Sequence, residues 1–158
     1  MEMRILVGTM TGTAEAVALE MQTELKKAGH TGQIVLMDGR NAAVFADKST
    51  PFLICTSTYG SGDVPDNAQA LFASLEAERP DLAGVIYGVI ALGDRTYGDT
   101  FCQGGLRFDK LLRELGAQRA GDVLLHDASA GTMAEDVATE WILPWVEQHL
   151  LPALAQRV

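Results

Sequence analysis

Residues 9–15, TMTGTAE, have the composition of an anion-binding loop. They place the hydroxyl residues Thr9, Thr11 and Thr13 around Gly12, directly after an apolar strand pattern and directly before a helical one. Backbone N–H groups at the start of a helix and nearby hydroxyls can donate to an anion, and the positive end of the helix dipole adds to the attraction. The segment therefore predicts a site for a terminal phosphate, with an ordinary capped turn as the alternative.

Two common nucleotide-binding motifs are absent from this stretch. A P-loop would read G-x-x-x-x-G-K-[ST], but no lysine or arginine occurs between residues 5 and 25. The dinucleotide fingerprint G-x-G-x-x-G is also missing. The predicted phosphate would therefore be held by neutral donors alone.

Two further loops carry aromatic residues among glycines and hydroxyl residues. Residues 56–67, TSTYGSGDVPDN, contain Tyr59, and residues 91–102, ALGDRTYGDTFC, contain Tyr97 and Phe101. Aromatic side chains on separate loops can stack on the faces of a flat ring. Together with the first loop, they predict a planar heterocycle with one phosphate tail.

The elements that must position these loops alternate along the chain. Apolar runs predict strands over 4–8, 32–38, 51–57, 84–93 and 121–127, and helical periodicity predicts helices over 13–29, 67–79, 104–116 and 133–150, the last kinked near Pro144. Such alternation predicts a parallel sheet covered by helices on both faces, with ligand-binding loops at the carboxyl ends of the strands. No repeat or linker interrupts the pattern, so we expect residues 1–158 to form a single domain.

Composition narrows the class of partner. The 158 residues carry a net charge of −9, with no basic cluster longer than Lys26–Lys27, which disfavours nucleic acid and anionic membranes as partners and permits a basic protein surface.

Cys55 and Cys102 form neither a disulfide framework nor a zinc motif. No apolar run approaches the roughly 20 residues of a membrane span, and the start of the chain does not resemble a secretory signal. A cytoplasmic protein is expected.

The three loops resemble the three FMN-binding loops of the flavodoxin family. TMTGTAE, STYGSGDVPDNAQ and ALGDRTYGDTFC are most similar to the small MioC-type flavodoxins and to the FMN domains of cytochrome P450 reductase and sulfite reductase, and AEDVATEWILPWVEQ resembles the last helix of that group. The resemblance implies a flavodoxin-like three-layer α/β fold with a five-stranded parallel sheet in the order 2-1-3-4-5. We expect no extra segment to split the fifth strand, as is typical of the short-chain class.

The resemblance also implies which residues bind FMN. The phosphate would contact Thr9, Met10, Thr11, Gly12, Thr13 and Ala14, and Tyr59 and Tyr97 would cover opposite faces of the isoalloxazine ring. The ring edge and ribityl chain would be lined by Thr56, Ser57, Thr58, Leu92, Gly93, Asp94, Phe101, Cys102 and Gln103, and Gly60 and Gly62 would let the backbone approach the cofactor closely. Two positions depart from the family pattern: Met10 stands where glutamine or serine is common, and Arg95 adds a positive charge to the third loop.

The implied function is electron transfer. An FMN-binding flavodoxin shuttles single electrons between a reductase and acceptor proteins through the flavin semiquinone and hydroquinone. The Gly60 carbonyl would accept a hydrogen bond from the reduced flavin N5, and Asp63, Asp66, Asp94 and Asp99 would oppose the anionic hydroquinone, so we expect a low second potential. The expected donor is an NADPH-dependent flavoprotein reductase, with the redox acceptor protein docking on the acidic face around the flavin.

Other functions remain alternatives at this stage. An FMN-dependent NAD(P)H/quinone oxidoreductase would need a second pocket above the ring, where Tyr59 and Tyr97 are expected to lie. A phosphate binder without redox activity also stays open. A phosphoacceptor receiver would need acidic residues where the sequence has Gly8-Thr9 and Cys55-Thr56. We find no nucleophile–base pair or metal motif, so we predict no catalytic residue and no metal, and a carrier without its own substrate turnover is favoured.

Overall fold

A parallel β-sheet with helices on both faces forms the framework of the computed structural model, which describes residues 1–9, 12–58, 62–96 and 101–157. The strands are β1 (Glu2–Gly8), β2 (Thr31–Leu36), β3 (Phe52–Thr56), β4 (Ile86–Gly93), β5 (Gln118–Arg119) and β6 (Leu124–Asp127). The helices are α1 (Thr13–Lys27), α2 (Gln69–Glu78), α3 (Gln103–Glu114), α4 (Ala134–Trp145) and α5 (Leu151–Ala155). Single 3₁₀ turns lie at Ala42–Phe45, Asp66–Ala68 and Ala128–Ala130.

The strand order confirms the predicted flavodoxin-like topology. The sheet runs β2-β1-β3-β4-β5, and every pairing in it is parallel. The strand order reverses at β1, because β2 lies on one side of it and β3 on the other. The loops that follow β1 and β3 therefore flank the crevice in which open α/β sheets bind ligands.

The fifth position of the sheet differs from the prediction of one unbroken strand over 121–127. Two short strands share it: β5 pairs with the first residues of β4, and β6 pairs with the last ones. Gly121 lies between them with a φ of 70°, which is incompatible with an extended strand. The Arg119 guanidinium stabilises this bend by donating to the Gly121 carbonyl over 2.9 Å.

Apolar residues fill both interfaces between the sheet and the helices. On one face, α1 and α4 bury side chains such as Val17, Met21 and Ile142 against the sheet. On the other face, α2 and α3 bury side chains such as Leu75 and Phe108. All five residues of β3 are buried, as expected for a central strand covered on both sides.

The closing helix is not continuous over the predicted 133–150. After α4 the helix widens into a π turn at Val146–Leu150 and then resumes as α5. Pro144 lies inside α4, where it removes one backbone N–H donor just before the π turn. Trp145 packs beneath β4 and donates its indole N–H to the Ala120 carbonyl over 2.7 Å.

Within the described ranges, no helix combines the length and apolar character needed to cross a membrane.

Candidate functional site

Hydrogen bonds hold the first loop at both of its described ends. The Thr9 N–H donates to Oδ1 of Asn67 over 2.7 Å, and the Thr9 hydroxyl accepts the N–H of Gly12 over 2.9 Å. Gly12 is the N-cap of α1 and has a φ of 91°, a left-handed conformation that glycine adopts at low cost. Gly12 has no side chain that could accept a hydrogen bond from the first turn of α1. The backbone N–H groups and the positive dipole end of the helix therefore face this loop.

A cavity of about 430 Å³ opens next to Thr9 on the side of β2. Its lining includes three carboxylates, those of Glu15, Asp38 and Asp66. Negative charges close together repel a bound anion. This cavity is therefore unsuited to a phosphate, and one of the three carboxylates, that of Glu15, also belongs to the first turn of α1.

Thr58 joins the ends of the second and third loops. Its hydroxyl donates to the Leu92 carbonyl over 3.0 Å and accepts the Gly104 N–H over 3.0 Å. Leu92 is near the end of β4, and Gly104 is in the first turn of α3. One hydroxyl therefore fixes the loop after β3 to both ends of the loop that follows β4.

The same region is packed too tightly for larger residues at two glycines. A Cβ on Gly93 would lie 2.5 Å from the backbone nitrogen of Cys102, and a Cβ on Gly104 would collide with the Ser57 carbonyl oxygen. Cys102 itself has a φ of 57°, a conformation that few residues other than glycine adopt. The third loop thus leaves β4 and enters α3 through close backbone contacts.

An ion pair ties the third loop to the end of β6. The Arg95 N–H donates to Oδ1 of Asp127 over 3.0 Å, and the Arg95 guanidinium lies 3.5 Å from Oδ2. The hydrogen bond from the Arg95 backbone and that from the Ser129 side chain hold the pKa of Asp127 below its ordinary value. The guanidinium carbon is also 4.2 Å from the centre of the Phe101 ring. Asp127 therefore orients the one cation that the sequence places in this loop.

The predicted cluster of carboxylates is partly neutralised. Asp63 forms an ion pair with Arg107 over 2.9 Å, and both side chains are about half exposed. Asp94 accepts hydrogen bonds from the N–H and the hydroxyl of Thr96 at 2.9 and 2.6 Å. Asp66 is exposed, and Asp99 lies outside the described residues. The local field is therefore less negative than a count of aspartates implies.

Both thiols are buried. The Cys102 thiol donates to the Ala91 carbonyl over 3.2 Å, and the Cys55 thiol donates to the Ala14 carbonyl over 3.5 Å. Burial raises the pKa of Cys55 to about 12 and that of Cys102 to about 11. Neither sulfur has the electropositive, exposed surroundings of a reactive cysteine.

The structure describes fourteen of the predicted site residues. Buried positions are Ala14, Thr56, Gly62, Leu92 and Cys102; half-buried ones are Thr9, Gly12, Ser57, Thr58, Gly93, Asp94, Phe101 and Gln103; and Thr13 is exposed. Ala14 and Thr56 are fully buried, so neither offers an exposed side chain to a ligand. Met10, Thr11, Tyr59, Gly60 and Tyr97 lie outside the described residues.

Two residues of this region are not predicted by the sequence pattern. The pattern places Asn67 only at the start of the second helix, and Asp127 only at the end of the fifth strand. Both are polar residues at or after the carboxyl end of a predicted strand, where ligand-site residues concentrate, and this is the only sequence signal that could have indicated them. Their partners could not be predicted, because Thr9 is 58 residues from Asn67 and Arg95 is 32 residues from Asp127 in the chain.

Comparison with known proteins identifies the family and supports the fold described above. The flavodoxin family model matches residues 5–141. The chain belongs to the flavodoxin family. Among curated flavodoxin relatives, it is 39% identical to flavodoxin YqcA of Escherichia coli K12 over 144 residues, which are 91% of this chain and 95% of that protein. It is 32% identical to the protein MioC of the same organism, over 92% of this chain and 96% of the relative.

One relative is much longer than this flavodoxin-family chain. The sulfite reductase [NADPH] flavoprotein alpha-component of Vibrio cholerae is 36% identical over 141 residues, which are 89% of this chain but 22% of that protein. Relatives of this kind indicate that members of the family act together with redox partners.

Solved flavodoxin structures superimpose over almost the whole chain. A cysteine-to-alanine mutant of flavodoxin from Pseudomonas aeruginosa has a TM-score of 0.78 and 34% identity, with 99% of both chains covered. A Fusobacterium nucleatum flavodoxin bound to flavin mononucleotide has a TM-score of 0.75 over 93% of this chain and 95% of the other, and its 17% identity supports the fold alone. Both the predicted family and the predicted fold are confirmed.

Proposed function

We propose that this protein is an FMN-binding flavodoxin that carries single electrons between a reductase and acceptor proteins. The observation that carries the proposal is the construction of the first loop. Thr9 and Gly12 close it by a hydrogen bond, and it leads into a helix start that offers neutral donors to an anion. That design suits the terminal phosphate of a mononucleotide.

The other two loops would form the ring site. Thr58 bonds to Leu92 and to Gly104, which joins the described ends of the second and third loops at one end of the sheet. In our proposal, Tyr59 and Tyr97 cover the faces of the isoalloxazine ring and exclude water from it. FMN supplies the redox chemistry when it is bound, and the protein tunes its potential.

The remaining predicted contacts keep the roles that the sequence suggested. Thr9 to Ala14 bind the phosphate, and the segments 56–58, 92–94 and 101–103 line the ring edge and the ribityl chain. Gly60 and Gly62 let the backbone approach the ring closely. Residues 1–158 act as one FMN-binding domain.

The partners would dock near the exposed edge of the flavin. The net charge of −9 favours a basic surface on the donor and on the acceptor, because opposite fields steer encounter. We propose an NADPH-dependent flavoprotein reductase as the donor, a redox protein as the acceptor, and the cytoplasm as the compartment. Salt would then slow electron exchange with each of them.

Titration of the purified chain with FMN tests the proposal. We expect stoichiometric binding with quenching of flavin fluorescence, and no competition from AMP, which has a phosphate but lacks the flavin ring. Absence of FMN binding by the folded protein would overturn the proposed function.

A second measurement separates the carrier from the oxidoreductase alternative. Anaerobic reduction of the FMN-loaded protein, followed by absorbance, should resolve two one-electron steps. Steady consumption of NAD(P)H with a quinone, in the absence of any reductase, would instead establish the FMN-dependent NAD(P)H/quinone oxidoreductase.

A further inference from the structure

Asn67 makes an unusual set of contacts for a residue at the start of a helix. It lies half-buried in the 3₁₀ turn Asp66–Ala68, and its side-chain amide contacts three residues in two other parts of the chain, the end of β1 and the loop after β2. Its Oδ1 accepts the Thr9 N–H over 2.7 Å. Its Nδ2 donates to the Val7 carbonyl over 3.2 Å and to Oδ1 of Asp38 over 3.1 Å.

These contacts admit one orientation of the amide. If the oxygen and nitrogen were exchanged, Nδ2 would face the Thr9 N–H, and Oδ1 would face the Val7 carbonyl and the Asp38 carboxylate. Donor would then oppose donor and acceptor would oppose acceptor. A side-chain amide supplies both functions from one planar group, and that of Asn67 meets its three partners at 2.7, 3.2 and 3.1 Å.

A chain of hydrogen bonds continues from Asn67 into the first loop. Asn67 fixes the backbone of Thr9, and the Thr9 hydroxyl in turn accepts the N–H of Gly12 at the start of α1. The loop contains no lysine or arginine, so its affinity for an anion depends on the placement of dipoles. Donors that are fixed before the ligand arrives bind it with a smaller loss of entropy.

We propose that Asn67 is a positioning residue for the phosphate-binding loop, and that it sets the affinity for the phosphate of FMN and not the affinity for the flavin ring. This inference rests on the proposed function. Asn67 does not need to touch the ligand; it acts through Thr9, and through Thr9 on Gly12.

The test compares FMN with riboflavin, which has the same ring but no phosphate. For Asn67→Ala, the dissociation constant of FMN should rise about tenfold, the effect of losing one well-placed hydrogen-bond partner. The dissociation constant of riboflavin should change less than about twofold, because the bonds from Thr58 to Leu92 and Gly104 do not involve Asn67. The ratio of the two constants is the readout, since a general loss of structure would weaken both ligands.

Asn41→Ala is the matched control. Like Asn67, Asn41 accepts a backbone N–H with its side-chain oxygen, here that of Ala43 over 2.9 Å. It lies in the loop after β2 and has no contact with Thr9 among its described bonds. Its loss should lower stability and leave the ratio of FMN to riboflavin affinity unchanged. An equal change of the ratio in both variants would overturn the proposal.

Asn67→Asp covers the case in which the alanine variant does not fold. This substitution keeps the acceptor for the Thr9 N–H but removes both donors and places a carboxylate beside Asp38. FMN binding should weaken more at low ionic strength than at high, while riboflavin binding stays insensitive to salt. Unchanged FMN affinity, or equal weakening of FMN and riboflavin, refutes the role of Asn67; failure of the unmodified protein to bind FMN refutes the proposed function instead.

Discussion

The guanidinium group of Arg95 lies 4.2 Å from the centre of the Phe101 ring, in a cation–π contact at the entrance to the third loop. Asp127 holds the same guanidinium from the end of β6. The contact fixes a positive charge beside a ring that we expect to border the flavin. The carboxylates of the region therefore do not act alone on the potential of the cofactor.

Arg95→Gln should make the second one-electron potential of the bound flavin more negative. A unit charge at contact distance is worth about 1 kcal/mol in water and about 4 kcal/mol near a protein surface, and Arg95 is largely exposed, so the smaller value applies. This corresponds to a shift of tens of millivolts. Lys27→Gln removes the same charge from the last turn of α1, at the amino ends of the strands. Redox titration of both variants checks the prediction, and equal potentials would contradict it.

The pH dependence of stability should report the Asp127 contact. The backbone hydrogen bond from Arg95, and after it the side-chain bond from Ser129, lower the pKa of Asp127 below its ordinary value of 3.8. The folded state therefore favours the ionised carboxylate, which stabilises the protein above the ordinary pKa and ceases to do so as the pH falls through the lowered one.

Asp127→Asn should accordingly matter most at neutral pH. The difference in unfolding free energy between the unmodified protein and this variant should be constant above about pH 5 and should shrink below the ordinary pKa. Ser129→Ala removes only the second of the two hydrogen bonds that lower this pKa. The unfolding free energy of this variant should therefore differ less from that of the unmodified protein, and the difference should shrink over the same pH range. Urea unfolding at a series of pH values measures both, and a difference independent of pH would rule out this role of Asp127.

The sequence predicted the features that arise from local patterns. Apolar runs gave the first four strands within a few residues, and the period of Val17, Met21 and Leu25 gave α1, because these side chains face the core at helical spacing. The positions of Thr9 and Thr58 at carboxyl strand ends predicted that they would lie in the site region.

The features that the sequence did not predict depend on contacts between distant segments. The fifth strand divides at Gly121, where Arg119 donates to the Gly121 carbonyl and the His149 ring fills the space beside the bend. From the neighbouring sequence, Asn67 is predicted only as part of a helix start, and its contact with Thr9 forms only in the folded chain. Local propensity carries no information about such pairings.

Both thiols should be unreactive in the folded protein. Cys55 and Cys102 are buried, and burial raises the pKa of both far above neutral pH, so little thiolate forms. At pH 8, a disulfide reagent such as DTNB should label neither thiol in the native state and both after unfolding in guanidinium chloride. Rapid labelling of Cys102 alone in the native protein would contradict the prediction and indicate an accessible, reactive thiol.

The contact between α3 and the second loop should be necessary for cofactor affinity as well as for stability. A methyl group on Gly104 would collide with the Ser57 carbonyl and would displace the N–H that donates to Thr58. Gly104→Ala should therefore lower the unfolding free energy by about 1–3 kcal/mol, the usual cost of overpacking. It should also weaken FMN binding, because the loops after β3 and β4 would separate.

Gly88→Ala separates the effect on stability from the effect on FMN binding. A methyl group there would collide with the Trp145 ring, in the core on the side of α4. It should destabilise the protein by a similar amount but leave the FMN dissociation constant of the folded fraction unchanged, because the Trp145 contact does not involve the loops. Urea unfolding without cofactor and fluorescence titration with FMN give the two quantities for each variant. If both variants weaken FMN equally, loss of global stability explains the effect, and the Thr58–Gly104 bond has no specific part in holding the ring site.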